Sequence, residues 1–135
     1  MNGKEYQNLA MRTNDGNGTY RLKSFANTQN FYREELLLDI DAGGILNACL
    51  GLSGEVGEFN DMIKKWIFHE KELDIDHLEK ECGDILWYIA LMCNSFGWNI
   101  DEVMQMNIDK LQARYPDGFD TDRANNRENG DVSSY

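Results

Sequence analysis

Two pairs of acids stand at helical spacing in this chain. Glu55 and Glu58 occur in GLSGEVGEFNDMIKK, and Glu81 and Asp84 occur in EKECGDILWY. Residues three apart share a helix face, so each pair presents two carboxylates side by side. On a wheel of about 100° per residue, Leu52, Val56, Phe59, Met62, Ile63, Trp66 and Ile67 form one arc. Glu55 falls inside it and Glu58 at its edge, while Asp61 points away as a solvated acid would. The second segment repeats the plan. Leu78, Cys82, Ile85, Leu86, Ile89, Met92, Cys93 and Phe96 form the arc, with Glu81 inside it and Asp84 at its edge. A buried carboxylate without a partner is costly, so it takes up a cation or a proton. Four acids on two neighbouring helices make an oxygen-rich site suited to Mg²⁺ or Mn²⁺. Gly54, Gly57 and Gly83 stand beside them. Glycine weakens a helix interior by about 1 kcal/mol against alanine, so these positions suggest close approach by a helix, a metal or a ligand. The plainer alternative stays open, that both pairs are solvated helix charges.

A third segment supplies the opposite charge. Ile100, Met104, Ile108, Leu111 and Tyr115 define its apolar arc, with Asn107 inside and Lys110 and Arg114 along the edge. Lys65 lies on the same side as Glu58. Metal-binding acids on two helices with cations on a third would hold a polyphosphate. Lys110 and Arg114 could equally be cations favoured at a helix C-terminus. His69 and His77 fall at helix ends and read as surface residues.

These motifs need helices, and the sequence calls for them. Residues 4–12 read as a short helix and 13–19 (TNDGNGT) as a turn-rich loop. Residues 20–40 are ambiguous, with NFYREELLLDI favouring helix. Residues 43–69 form a long helix or two abutting ones. Residues 76–96 form another, with Asp76 as N-cap and Gly97 at the position that glycine favours after a helix. Residues 99–115 form a third, capped by Asn99 and closed before Pro116, the one proline. The architecture expected is an all-α, four-helix-bundle-type single domain over residues 1–120, with 121–135 a loose tail.

Composition bounds the function. The 135 residues suit one domain with a real core, and 41% are hydrophobic. A net charge of −11 argues against nucleic-acid polymers and anionic membranes as partners. Cys49, Cys82 and Cys93 are odd in number, form no CxxC pair, and read as buried thiols in a reducing compartment. The N-terminus lacks a signal-peptide core, and the apolar run 85–93 is about half a membrane span. A cytoplasmic protein is expected.

GLSGEVGEFNDMIKK, ECGDILWYIA and NIDKLQARYPDGF, in this order, resemble the MazG-like nucleoside triphosphate pyrophosphohydrolases of the all-α NTP pyrophosphatase superfamily, with their ExxE…ExxD metal signature. The resemblance spans roughly residues 43–123. It implies that Glu55, Glu58, Glu81 and Asp84 bind Mg²⁺, with Mn²⁺ as a substitute. It implies that Lys110 and Arg114, with Asn107 beside them, hold a triphosphate, and that Lys64 and Lys65 match a Lys–Lys pair of which one faces substrate. It further implies cleavage between the α and β phosphates of an NTP or dNTP, Glu55 or Glu58 directing the water, in a homodimer or homotetramer whose subunits complete the bundle. Two features depart from the family pattern: Cys82 replaces a usual leucine, and residues 14–42 are longer than the usual connection. A dUTP- or dCTP-specific pyrophosphatase, a phosphoribosyl-ATP-type enzyme and a non-catalytic helical oligomerisation module are the other readings.

Overall fold

A computed structural model describes residues 1–27, 30–33 and 36–126, with side chains placed outside the two strand segments. The order is α1 (Gly3–Ala10), a 3₁₀ turn (Met11–Thr13), α2 (Gly18–Ala26), β1 (Asn30–Arg33), β2 (Leu36–Asp39), α3 (Ala42–Phe68), α4 (Ile75–Phe96), α5 (Ile100–Arg114) and α6 (Thr121–Asn125). Helix dominates, as expected, and two elements of it are long enough to carry the acid pairs. Two compact units are present, Met1–Gly97 and Trp98–Tyr135. Among the described residues no helix is long and apolar enough to cross a membrane.

The helix ends follow local side-chain chemistry. In α1, Asn2 and Glu5 cap each other reciprocally. Asp41 opens α3 by accepting from the Gly44 amide at 2.9 Å. Helix α4 begins one residue earlier than expected. Its cap is Asp74, which accepts from the His77 amide at 2.9 Å, and Asp76 lies inside the first turn instead. Gly97 ends α4 at φ +68°, a left-handed conformation that glycine reaches without strain. Asn99 caps α5 by accepting from the Asp101 amide at 3.0 Å.

The helical reading of NFYREELLLDI is corrected. Its backbone forms an antiparallel pair, with Phe31 opposite Leu38 and Tyr32 opposite Leu37. Adjacent aromatics favour strand, and three consecutive leucines fit a period of 2 as well as one of 3.6, so periodicity alone does not separate the two. In the segment expected to be a loose tail, residues 121–125 form the short helix α6, capped by Asp120. Residues 127–135 lie outside the described residues.

The core of the first unit lies where α3 and α4 pack along each other. Ala48 of α3 and Glu81, Cys93 and Ser95 of α4 are its most buried residues. Close approach occurs at two glycines. A β-carbon on Gly44 would run into Ser95 Oγ and the Asp41 carboxylate, and one on Gly51 into the Tyr88 ring. The Asp41 amide also donates to the Ser95 carbonyl at 2.9 Å, fastening the start of α3 to the end of α4. Of the three cysteines, all free thiols, only Cys93 is buried. Cys82 follows the buried Glu81 by one residue, about 100° round the helix, and so turns away from α3.

Candidate metal and phosphate site

Helices α3 and α4 bring three of the four acids together. One carboxylate oxygen from each of Glu55, Glu81 and Asp84 lies within 4.8 Å of the others. Glu81 is buried, Glu55 half-buried and Asp84 exposed, so the group runs from the helix interface out to solvent. Glu58 is not one of the three. It lines an adjoining open cavity of about 380 Å³, together with Gly54, Gly57, Asp61, Met62, His77 and Glu81. That volume lies within the range of small-molecule sites.

Three like charges at this spacing repel, and Glu55 registers it. Burial is the first cause pushing its carboxyl above the ordinary value; the charges of Glu58, Asp84 and Glu81 and a hydrogen bond with Glu81 add to the effect. Glu81 carries a second sign of an incomplete site. Its Oε1 is 2.8 Å from His77 Nε2, whereas its Oε2 is buried with no hydrogen-bond partner among the described residues. A buried carboxylate oxygen without a donor is costly, and a divalent cation relieves both the repulsion and the orphaned oxygen. Oxygens sharing one Mg²⁺ sit about 3–4 Å apart, which small side-chain rotations reach from the 4.8 Å found here. The three acids therefore fit a hard divalent cation.

Gly54, Gly57 and Gly83 do not serve helix approach, because a β-carbon on any of them meets nothing within 4 Å. For Gly54 and Gly57 that open space is the cavity itself. Asp61, expected to be a solvated acid facing away, lines the cavity and pairs with both Lys65 and Lys64, the latter at 3.5 Å. The Lys65 hydrogen bond is the first cause holding the Asp61 carboxyl below its ordinary value. Lys65 is therefore tied to an acid on the cavity wall. Asn107, Lys110 and Arg114 lie on α5 in the second unit. There the Arg114 guanidinium stands 6.0 Å from the Tyr115 ring centre and its carbonyl accepts from Arg123 at 3.4 Å.

His77 is the site residue that the sequence reading passed over. It reads as a surface residue at a helix end and is indeed half exposed, yet it bonds Glu81 and lines the cavity. The available signal was its i, i+4 spacing to Glu81, which places the two side chains one turn apart on one face.

The chain is 35% identical over 89 residues to the Gene 37 protein of Mycobacterium phage L5, covering 62% of this chain and 77% of that protein. No solved structure gives a significant match. The family model of the MazG nucleotide pyrophosphohydrolase domain matches residues 45–119. That span is more than half of the chain and takes in the three converging acids, Glu58 and the whole of α5, so the chain belongs to the MazG nucleotide pyrophosphohydrolase family.

Proposed function

We propose that the protein hydrolyses a nucleoside or deoxynucleoside triphosphate to the monophosphate and pyrophosphate, using Mg²⁺, with Mn²⁺ as a substitute. The observation that carries this reading is the convergence of Glu55, Glu81 and Asp84 beside an open cavity, with one buried Glu81 oxygen unpartnered. These three acids would hold the cation, and Glu58 would complete the acid set from the cavity wall. Held by these acids, Mg²⁺ would supply neutralisation of phosphate charge and a more electrophilic α-phosphorus. Water attacks that phosphorus in line with the departing pyrophosphate. Glu58 orients the water and takes its proton, with Glu55 the other candidate base. Lys65, paired with Asp61 of the cavity wall, would meet phosphate charge. Asn107, Lys110 and Arg114 enter as triphosphate contacts on the family pattern alone. A second copy of the chain, in a homodimer or homotetramer, would cover apolar side chains that α3 and α4 leave exposed, among them Leu50, Trp66, Leu86 and Trp87.

The test is pyrophosphate release from a panel of NTPs and dNTPs with Mg²⁺, comparing the wild type with Glu58→Gln and Asp84→Asn. The expected result is monophosphate and pyrophosphate in equal amounts from the wild type and a loss of at least about a hundredfold in each variant. Turnover confined to dUTP or dCTP would mark a base-specific enzyme. No release from any nucleotide by the folded, Mg²⁺-supplied wild type would overturn the reading in favour of a non-catalytic module.

A further inference from the structure

His77 hydrogen-bonds Glu81 of the acid cluster at 2.8 Å, and the geometry of that bond has a consequence for the metal. His77 is the third residue of α4, and its own amide is held by the Asp74 cap at 2.9 Å. The backbone that carries the imidazole is thus anchored at the helix start. One turn on, Glu81 is buried, with only 8% of its side chain exposed. A carboxylate in such a place accepts whatever donors reach it. His77 Nε2 reaches Oε1 at 2.8 Å, whereas Oε2 receives nothing among the described residues. The two oxygens of one carboxylate are therefore in different states: Oε1 is held by His77 and Oε2 has no donor among the described residues, while one Glu81 oxygen lies within 4.8 Å of an oxygen of Glu55 and of Asp84.

We infer that His77 is a positioning residue of the metal site, donating its Nε2–H to Glu81 Oε1 so that Oε2 is the oxygen presented to the cation. This rests on the metal reading of the acid cluster given above. The protonated ring nitrogen is Nε2, because a carboxylate oxygen can only accept. Without that bond Glu81 would be free to turn either oxygen toward the cluster or to swing away from Glu55 and Asp84, and the ordering of its side chain would have to be supplied by the binding free energy of the cation. Hydrogen-bond partners of metal ligands act in this way, and their loss commonly weakens metal affinity 10- to 100-fold.

The experiment uses the full chain and two replacements of nearly equal size. His77→Gln keeps an N–H close to the position of Nε2, and His77→Met keeps the bulk and loses the donor. Mn²⁺ binding is read without nucleotide, by calorimetry and by the electron paramagnetic resonance signal of free Mn²⁺, with Glu81→Gln alongside and melting curves for every variant. The expected result is a Mn²⁺ affinity about tenfold or more weaker in His77→Met, recovered to within about threefold of wild type in His77→Gln, with every variant folded at the temperature of the titration. Equal affinity in His77→Met and wild type would overturn the inference. So would equal weakening in Met and Gln variants, which would mean that ring packing and not the donated N–H matters. A wild type that binds no Mn²⁺ would overturn the metal reading itself, and this inference with it.

Discussion

The ring of Tyr88 on α4 fills the space in which a β-carbon on Gly51 of α3 would stand. Together with Gly44 against Ser95, this contact sets how closely the two acid-bearing helices lie. Gly51 is one turn ahead of Glu55, so the register it fixes is the register of the site. Gly51→Ala forces the Tyr88 ring or the helix to move, and overpacking of this kind costs about 1–3 kcal/mol. The measurement is denaturant unfolding with and without Mg²⁺. The expected outcome is a loss of stability in that range together with weaker metal stabilisation, because Glu55 and Glu81 no longer meet at the same spacing. A gain of about 0.5–1 kcal/mol, the ordinary effect of alanine for glycine inside a helix, would show that α3 and α4 do not pack at Gly51.

Gly57 makes the opposite case. A β-carbon there meets nothing within 4 Å, and the open space is the cavity lined by Glu58 and Glu81. In a helix interior, glycine to alanine stabilises by about 0.5–1 kcal/mol. Gly57→Ala should therefore raise the melting temperature while its methyl group narrows the cavity. The expected kinetic result is a KM for nucleotide several-fold higher, on the order of 1 kcal/mol of lost binding, with a smaller change in kcat. A variant that is more stable and equally active would show that substrate does not use this wall.

Much of this arrangement is legible in the sequence because it is written in local spacing. Acids at i, i+3 on the borders of apolar arcs point to a shared face, and Glu55, Glu81 and Asp84 do converge. Asn99 and Gly97 declare their helix ends by side-chain type alone. What escapes is what depends on the width of the buried face. The wheel puts Cys82 and Leu86 on the apolar arc of α4, yet both are exposed, because α3 covers a narrower strip centred nearer Glu81. His77 escapes for another reason: a histidine ahead of a glutamate has no apolar signal, and its i, i+4 spacing to Glu81 is one that solvated helix residues share. The pairing of 30–33 with 36–39 escapes because a run of leucines has no period of its own.

The Glu55 carboxyl gives a pH dependence with a definite sign. Its folded-state value is raised, chiefly by burial and then by Glu58, Asp84 and Glu81. The stability linked to it is therefore fully present below the unfolded-state value, about 4.3, and is lost as pH rises through the raised folded value. Glu55→Gln removes this loss. Without metal, the melting temperature of Glu55→Gln relative to wild type should increase from pH 4 toward pH 7. With Mg²⁺ the order should reverse, since the wild type gains about 2.7 kcal/mol when free cation exceeds Kd a hundredfold and the variant binds it poorly. Scanning fluorimetry across pH, with and without Mg²⁺, checks both halves. A variant less stable than wild type at neutral pH without metal would refute the repulsion.

Trp87 offers the check on assembly. It is 57% exposed on α4 while its ring stands edge-on to Tyr88, with centroids 4.9 Å apart. Leu86 beside it is 58% exposed, and Leu50 on α3 is 67% exposed. Burying side chains of this size against another surface contributes about 1.5–3 kcal/mol each, and large exposed apolar groups in one region mark an interaction surface. Sedimentation equilibrium is expected to give a dimer or tetramer for the wild type. Trp87→Glu, which puts a charge into that surface, is expected to shift the population toward monomer and lower the melting temperature in a concentration-dependent way. If the wild type sediments as a monomer with full nucleotide turnover, the exposed apolar faces of α3 and α4 are not covered by a second copy, and the site works on the residues of one chain.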